Sequence, residues 1–418
     1  MQITPLKSPV VRTMAIPGSK SHTNRLLIMA ALTRGLVCLE RPLYSKDTNA
    51  MIECLRTLGL SIETLPHQIL VHGDLFSIEE KHYELFAHDS GTTVRFILAL
   101  LCLVPGTKTL QGNQRLNERP IHDLVKALRK LGAVIHYTDQ EGQLPVFIAS
   151  STLSGRSVEL KGDLSSQFCS ALLLISPYFS EGLTIYPTGE EISMSYIEMT
   201  LSCMREGGGK VFKQKDGSYV LPADQKYTKK TYVVEGDFSS AGYFFALAAL
   251  TQSTITISHL NPSSTQPDRK FLSILEKMGC LVTYLENAIC VEGKELKALD
   301  INMEDCPDQV MTMAVLAAFA QGTTRISGVR SLRLKETERV IALKNELGKM
   351  GIRTEDTQDT LTIYGGSPKA AEIDTYNDHR IAMAFAIAGL YRPGFIIRHP
   401  EVVNKTFPSF WTSLEVLR

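Results

Sequence analysis

The sequence predicts a mixed α/β (α+β) protein of two lobes, each made of three repeats of one unit packed around buried helices. Three observations carry this. A chain of 418 residues is too long for one ordinary hydrophobic core. A short polar cluster precedes an apolar, helix-like run six times at intervals near seventy residues. A second series of amphipathic stretches stops on glycine at almost the same interval.

The clusters begin with PGSKSHTNRLLIMAAL from Pro17, DSGTTVRFILALL from Asp89 and GDLSSQFCSALLLISP from Gly162. They continue with EGDFSSAGYFFALAAL from Glu235, PDQVMTMAVLAAFA from Pro307 and NDHRIAMAFAIAGL from Asn377. Marked by Lys20, Gly91, Ser165, Ser239, Asp308 and Asp378, they stand 71, 74, 74, 69 and 70 residues apart. The amphipathic stretches MIECLRTLG, LVKALRKLG, MTLSCMREG, FLSILEKMG and LKNELGKMG end at Gly59, Gly132, Gly207, Gly279 and Gly351, with spacings of 73, 75, 72 and 72. Each glycine suits a helix C-terminal cap, and the alternating segments SIETL, VIHY, LVTYL and IRTE that follow most of them suit strands. A unit is then a buried helix, a surface helix and several strands. Six units divide into two sets of three, with ligand expected in the cleft between the lobes.

Composition narrows the function. Lys and Arg total 44 and so do Asp and Glu, so the net charge of zero speaks against a nucleic-acid partner, and an anion site has to be built locally. The eight cysteines are scattered with no C-x-x-C pair and the ten histidines form no metal-ligand spacing, so neither disulfides nor a metal is expected. The longest unbroken apolar run, Phe96 to Val104, is half a membrane span, and MQITPLKSPVVR lacks a secretory apolar core. A cytoplasmic protein without a membrane partner is expected.

The helix starts point to anions. A helix N-terminus presents free N–H donors and a partial positive charge, which attract phosphate and carboxylate. Capping alone explains any one Ser, Thr or Asp cluster. Four cations, Lys20, Arg25, Arg95 and Arg380, near such ends add a second reason. Between the buried helices lie RLNERPIHDL, with Arg119, and SLRLKETERV, where the four-residue spacing of Lys335 and Arg339 predicts one helical face with Glu336 about 100° round. GSKS at Gly18 is not a P-loop, because the two required glycine positions hold Met14 and Ser19.

PGSKSHTNR, SGTTVR, ERPIHDLVKALRKLGA, GDLSSQF, VEGDFSSAGYF, RLKETER, TYNDHR and KTFP, in this order over essentially the whole chain, resemble the 3-phosphoshikimate 1-carboxyvinyltransferase (5-enolpyruvylshikimate-3-phosphate synthase) family of enolpyruvyl transferases. The resemblance implies the two-lobed fold of six βαβαββ-type units, with one lobe formed by 1–18 plus 237–418 and the other by 19–236, and the active site between them. It implies transfer of the enolpyruvyl group of phosphoenolpyruvate to the 5-hydroxyl of shikimate 3-phosphate, releasing phosphate, within chorismate and aromatic amino acid biosynthesis. It also implies a monomer that needs no cofactor.

By the same resemblance Lys20, Asp308 and Glu336 are catalytic. Lys20, Ser21, Arg25, Ser165, Ser166, Gln167, Ser193, Tyr196, Asp308, Ser331 and Lys335 bind shikimate 3-phosphate. Phosphoenolpyruvate falls to Lys20, Gly91, Arg119, Gln167, Arg339, Arg380 and Lys405. Three places depart from the family pattern: Asp89 stands where Asn is usual, Ser331 and Leu332 replace Asn and Trp, and Met194 and Ser195 replace Lys and Pro. Two rival readings share the fold: an enolpyruvyl transferase acting on UDP-N-acetylglucosamine, and a non-catalytic anion-binding module. The first is disfavoured because QGNQRLNER, from 111 to 119, carries no cysteine, and the second because the charged set is complete.

Overall fold

The six apolar runs become six buried helices, and the stretches between them supply amphipathic helices and strands. The computed structural model describes residues 1–149, 153–161, 166–188 and 194–417. Within Gly18–Val234 the helices are α1 (Lys20–Ala31), α2 (Lys46–Thr57), α3 (Gly91–Leu101), α4 (Gln114–Asn117), α5 (His122–Lys130), α6 (Ser166–Ile175) and α7 (Met194–Glu206). The second unit, Met1–Pro17 with Glu235–Arg418, carries α8 (Phe238–Thr251), α9 (Lys270–Lys277), α10 (Val310–Phe319), α11 (Arg339–Lys349), α12 (His379–Tyr391) and α13 (Phe410–Glu415). Helices α1, α3, α6, α8, α10 and α12 are buried along nearly their whole length. By contrast α5 and α9 bury one stripe, Leu124, Val125, Ala127 and Leu128 in one and Phe271, Leu272, Ile274 and Leu275 in the other.

Among the described residues, five four-stranded sheets share one plan: a parallel pair extended by an antiparallel hairpin. His82–Phe86 runs parallel to Thr107–Gln111, which pairs antiparallel with Val146–Ala149, and that strand with Val134–Tyr137. Two sheets take their outer parallel strand from far along the chain. Val11–Ala15 lies beside Thr254–Ser258, and Thr231–Val233 beside Cys38–Glu40. The first strand of the chain thus belongs with the unit built from the second half. Each unit has its own core: one runs from Leu26 to Val234, the other joins Ile3, Met14 and Ile16 to residues Phe238 through Leu417. Each fully buried Leu or Phe contributes about 1.5–3 kcal/mol.

Four expectations need correction, three of them here. The units meet at Pro17/Gly18 and Val234/Glu235, so Gly18 leaves the 1–18 segment while Glu235 and Gly236 join the carboxyl-terminal unit. A Cβ on Gly18 would lie 2.3 Å from the Arg41 carbonyl and 3.0 Å from Val234, which fixes it in place, whereas the Gly236 N–H donates to the His259 carbonyl at 3.2 Å. The left-handed glycine after α7 is Gly208 (φ 95°), not Gly207, whose missing side chain leaves room for Met29 and Tyr232. Among the described residues, the strands of the sixth repeat are the pair Glu372–Ile373 and Ile396–Ile397. There the amino terminus takes the place of further strands: the Ile3 N–H donates to the Phe395 carbonyl at 2.9 Å and the Ile397 N–H to the Met1 carbonyl at 2.8 Å. Among the described residues, no helix is long and apolar enough to cross a membrane.

Candidate active site

In the unit Gly18–Val234, polar groups gather at the helix starts. Ser19 caps α1, its hydroxyl accepting the His22 N–H at 3.4 Å. The Lys20 ammonium then lies 3.0 Å from the carboxylate of Asp47, in the first turn of α2; Asp47 is 4% exposed at its side chain and Lys20 16%. The Asp47 carbonyl accepts the Thr93 hydroxyl at 3.3 Å, and the Thr93 and Ser90 hydroxyls meet at 2.8 Å at the cap of α3. Next comes Gly91, where a Cβ would stand 2.6 Å from the Arg119 guanidinium, so glycine lets that cation rest against the start of α3. One network therefore ties Lys20 to the beginnings of α2 and α3. Asp89 is exposed in the turn just before the cap.

Arg25 is buried, and its hydrogen-bond partners among the described residues are neutral. Its Nε donates to the Thr200 hydroxyl at 2.8 Å, and its other nitrogens donate to the carbonyls of Ser21 (2.9 Å) and Tyr196 (3.2 Å) and the hydroxyl of Ser170 (3.4 Å). The guanidinium lies 5.3 Å from the Phe96 ring centre, and burial lowers its pKa. Among the described residues no carboxylate pairs with it, a condition that an incoming carboxylate or phosphate relieves. Arg95 donates to the Gln167 side-chain carbonyl, whose amide donates to the Thr92 hydroxyl at 3.3 Å, joining the starts of α3 and α6. Ser166 is buried at the first position of α6, while Ser165 and Ser193 lie outside the described residues.

In the other unit the organising group is Arg339, the first residue of α11. Its guanidinium meets Asp378 at 2.8 Å, Glu336 at 2.9 Å and Asp308 at 3.2 Å. Burial pulls its pKa down, but these three carboxylates outweigh that and leave it raised and charged. Asp378 also caps α12, accepting the Arg380 N–H at 2.8 Å. The Arg380 side chain turns to Asp308 at 2.6 Å and the Tyr243 hydroxyl at 3.4 Å. Lys405, ending a 3₁₀ turn, stands 3.9 Å from Glu336. Exposure separates the roles: side chains of Arg339 and Asp378 are 1% and 0% exposed, whereas Asp308 and Glu336 are 19% and 17%. The first two form a fixed base, and the second two offer carboxylate oxygen to whatever enters. Helix α10 begins with no side-chain cap, because it continues the 3₁₀ turn Pro307–Gln309 through Gln309, and Asp308 within that turn binds two guanidiniums.

The fourth correction concerns KETER. Lys335 follows a 3₁₀ turn, Arg330–Leu334, in extended conformation, and α11 starts only at Arg339. Glu338 enforces this start by capping the Ile341 N–H and binding Arg333. Lys335 and Arg339 therefore share no helical face, and Glu336 reaches Arg339 from just before the helix. Ser331 is half-buried on the preceding turn.

Two carboxylates escaped the sequence reading, Asp47 and Asp268. Asp268 is buried; one oxygen accepts the Ser239 hydroxyl at 2.8 Å, and the other has no hydrogen-bond partner among the described residues. Burial, then the charge of Asp308, push its carboxyl up to about 6 against the pull of Arg380 and Ser239. A signal existed. Asp47 lies 27 residues after Lys20 and Asp268 lies 29 after Ser239, equivalent places in the first and fourth repeats.

Comparison with known proteins identifies the family. The family model for EPSP synthase (3-phosphoshikimate 1-carboxyvinyltransferase) matches residues 5–414. The 3-phosphoshikimate 1-carboxyvinyltransferase of Nostoc punctiforme is 40% identical over 415 residues, covering 99% of this chain and 97% of that protein. The enzyme of that name from Syntrophobacter fumaroxidans is 39% identical, covering 98% of each. Among solved structures, EPSP synthase from Acinetobacter baumannii superimposes with a TM-score of 0.83 at 26% identity, over 100% of this chain and 97% of the other. With a family model spanning nearly every residue and full-length relatives at this identity, the chain belongs to the EPSP synthase family.

Proposed function

We infer that this chain transfers the enolpyruvyl group of phosphoenolpyruvate to the 5-hydroxyl of shikimate 3-phosphate and releases inorganic phosphate, in the shikimate pathway leading to chorismate and the aromatic amino acids. The observation that carries the chemistry is the Arg339 cluster, in which two partly exposed carboxylates, Asp308 and Glu336, share a buried cation. Two carboxylates with different neighbours suit two different proton transfers.

The proposed reaction is addition followed by elimination. Asp308 takes the proton of the 5-hydroxyl as its oxygen bonds to C2 of the enol, and Glu336 gives a proton to C3, forming a tetrahedral ketal. Glu336 then removes a proton from C3, the double bond re-forms and the C2–O bond to phosphate breaks, the phosphate leaving with the proton that Asp308 had taken and with Lys20 stabilising the departing charge. Arg119, Arg339, Arg380 and Lys405, with Gly91 and Gln167, hold the phosphate and carboxylate of phosphoenolpyruvate. Ser21, Arg25, Ser165, Ser166, Gln167, Ser193, Tyr196, Ser331 and Lys335 hold shikimate 3-phosphate, Arg25 being a buried cation with no carboxylate partner among the described residues. The reading includes a monomeric, cytoplasmic enzyme.

Running the reaction in deuterium oxide tests the proton steps. Deuterium should enter the methylene group of the product and of recovered phosphoenolpyruvate, and Glu336→Gln should suppress that entry by at least about a hundredfold. Undiminished exchange in the variant would remove Glu336 from the role.

A further inference from the structure

The unit Gly18–Val234 holds a cavity of about 460 Å³ at the opposite end of α1 from Lys20. Its lining comes from Leu32 and Arg34 after α1, Phe76, Tyr178, and the segment from Lys226 to Lys230. The rings form a continuous floor: Phe76 stacks on Tyr178 at 5.1 Å between centres, and Tyr178 meets Tyr227 at 6.1 Å. Both phenol hydroxyls are already satisfied, Tyr178 donating to the Leu32 carbonyl and Tyr227 to the Leu174 carbonyl. The ring surface open to a ligand is that of Phe76, which is exposed, and Tyr178, which is half-buried, while Tyr227 is buried beneath them, and backbone contacts hold both phenols still.

The rim is cationic. Arg34, Lys226 and Lys230 line the mouth. Lys230 donates to the Arg34 carbonyl, and Arg34 has a loose contact with Asp74 at 3.7 Å. Lys226 is exposed and, among the described residues, has no hydrogen-bond or ion-pair partner. Three cations thus stand over an aromatic floor, with Asp74 beside Arg34, and the volume lies in the range of pockets for small organic molecules. A ring stacks on the floor while an anionic group meets the ammonium groups, a division of labour that neither an inorganic anion nor a neutral hydrocarbon uses in full.

We propose that this pocket, formed by Phe76, Tyr178, Tyr227, Arg34, Lys226 and Lys230, binds a small aromatic monocarboxylate. The site is separate from the helix starts that carry Lys20 and Arg25, so it does not depend on the reaction assigned to them.

Fluorine NMR titration of the full chain with 3-(4-fluorophenyl)propionate tests this. Saturable binding is expected, weakened at least about fivefold by Phe76→Ala and by Lys226→Ala and unchanged by Lys20→Ala. The neutral 3-(4-fluorophenyl)propanamide should bind at least about tenfold more weakly. Phe76 and Lys226 are exposed, so their loss leaves the fold intact. Absence of saturation up to about 10 mM, equal binding of the amide, or weakening by Lys20→Ala in place of the pocket variants overturns the proposal.

Discussion

Asp308 touches two guanidiniums yet stays partly exposed, and in the proposed reaction it takes the first proton. Asp308→Ala should fold and lose about 10²–10⁴ in turnover, measured as phosphate release by protein whose circular dichroism is unchanged. Asp268 differs, because its buried carboxyl is raised from 3.8 to about 6. The folded state then favours the protonated form, so stability is fully present below pH 3.8 and declines as pH rises through about 6. Asp268→Asn is therefore expected to melt a few degrees above the unaltered chain at pH 8, with the gap closing towards pH 4. A third residue, Gly91, should tolerate Ala structurally, because the atom a Cβ meets is the mobile end of Arg119. The cost falls on the displaced guanidinium: KM for phosphoenolpyruvate should rise about tenfold in steady-state assays, with kcat less affected and melting temperature nearly constant.

At the scale of elements, Arg339 fastens the start of α11 to the cap of α12 through Asp378. Arg339→Ala strands a carboxylate that is 0% exposed, so it should cost about 3–5 kcal/mol in urea unfolding as well as activity. This double loss separates it from Asp308→Ala, which should affect turnover alone. The buried helices were legible because each is an apolar run behind a polar cluster, and the cations near their starts followed from the same pattern. What the pattern hid has a physical cause. KETER has helical spacing, but Glu338 captures the Ile341 N–H and Arg333, so the helix starts only at Arg339, four residues after Lys335, and leaves Lys335 outside it. Asp47 and Asp268 look like ordinary acidic residues near the starts of amphipathic helices. Only alignment of the repeats against one another shows that each meets the marker residue 27 or 29 positions earlier.

For the whole molecule, the division at Pro17/Gly18 and Val234/Glu235 gives two cores with no residue in common. Residues 18–234 contain every strand of their sheets, Thr231–Val233 included, and the ends Gly18 and Val234 already touch. This fragment should fold alone and give a dispersed amide NMR spectrum; a fragment starting at 237 should not, because it lacks Val11–Ala15, the outer strand beside Thr254–Ser258. The repeat period disclosed the two sets of three units, but it could not show that the amino terminus completes the sixth repeat, since that pairing joins residues almost 400 positions apart. The central claim is the reaction, and its most direct test is phosphate release from phosphoenolpyruvate with either shikimate 3-phosphate or UDP-N-acetylglucosamine as acceptor. Release with shikimate 3-phosphate alone is the result predicted; release only with the nucleotide sugar, or with neither acceptor from folded protein, would contradict it.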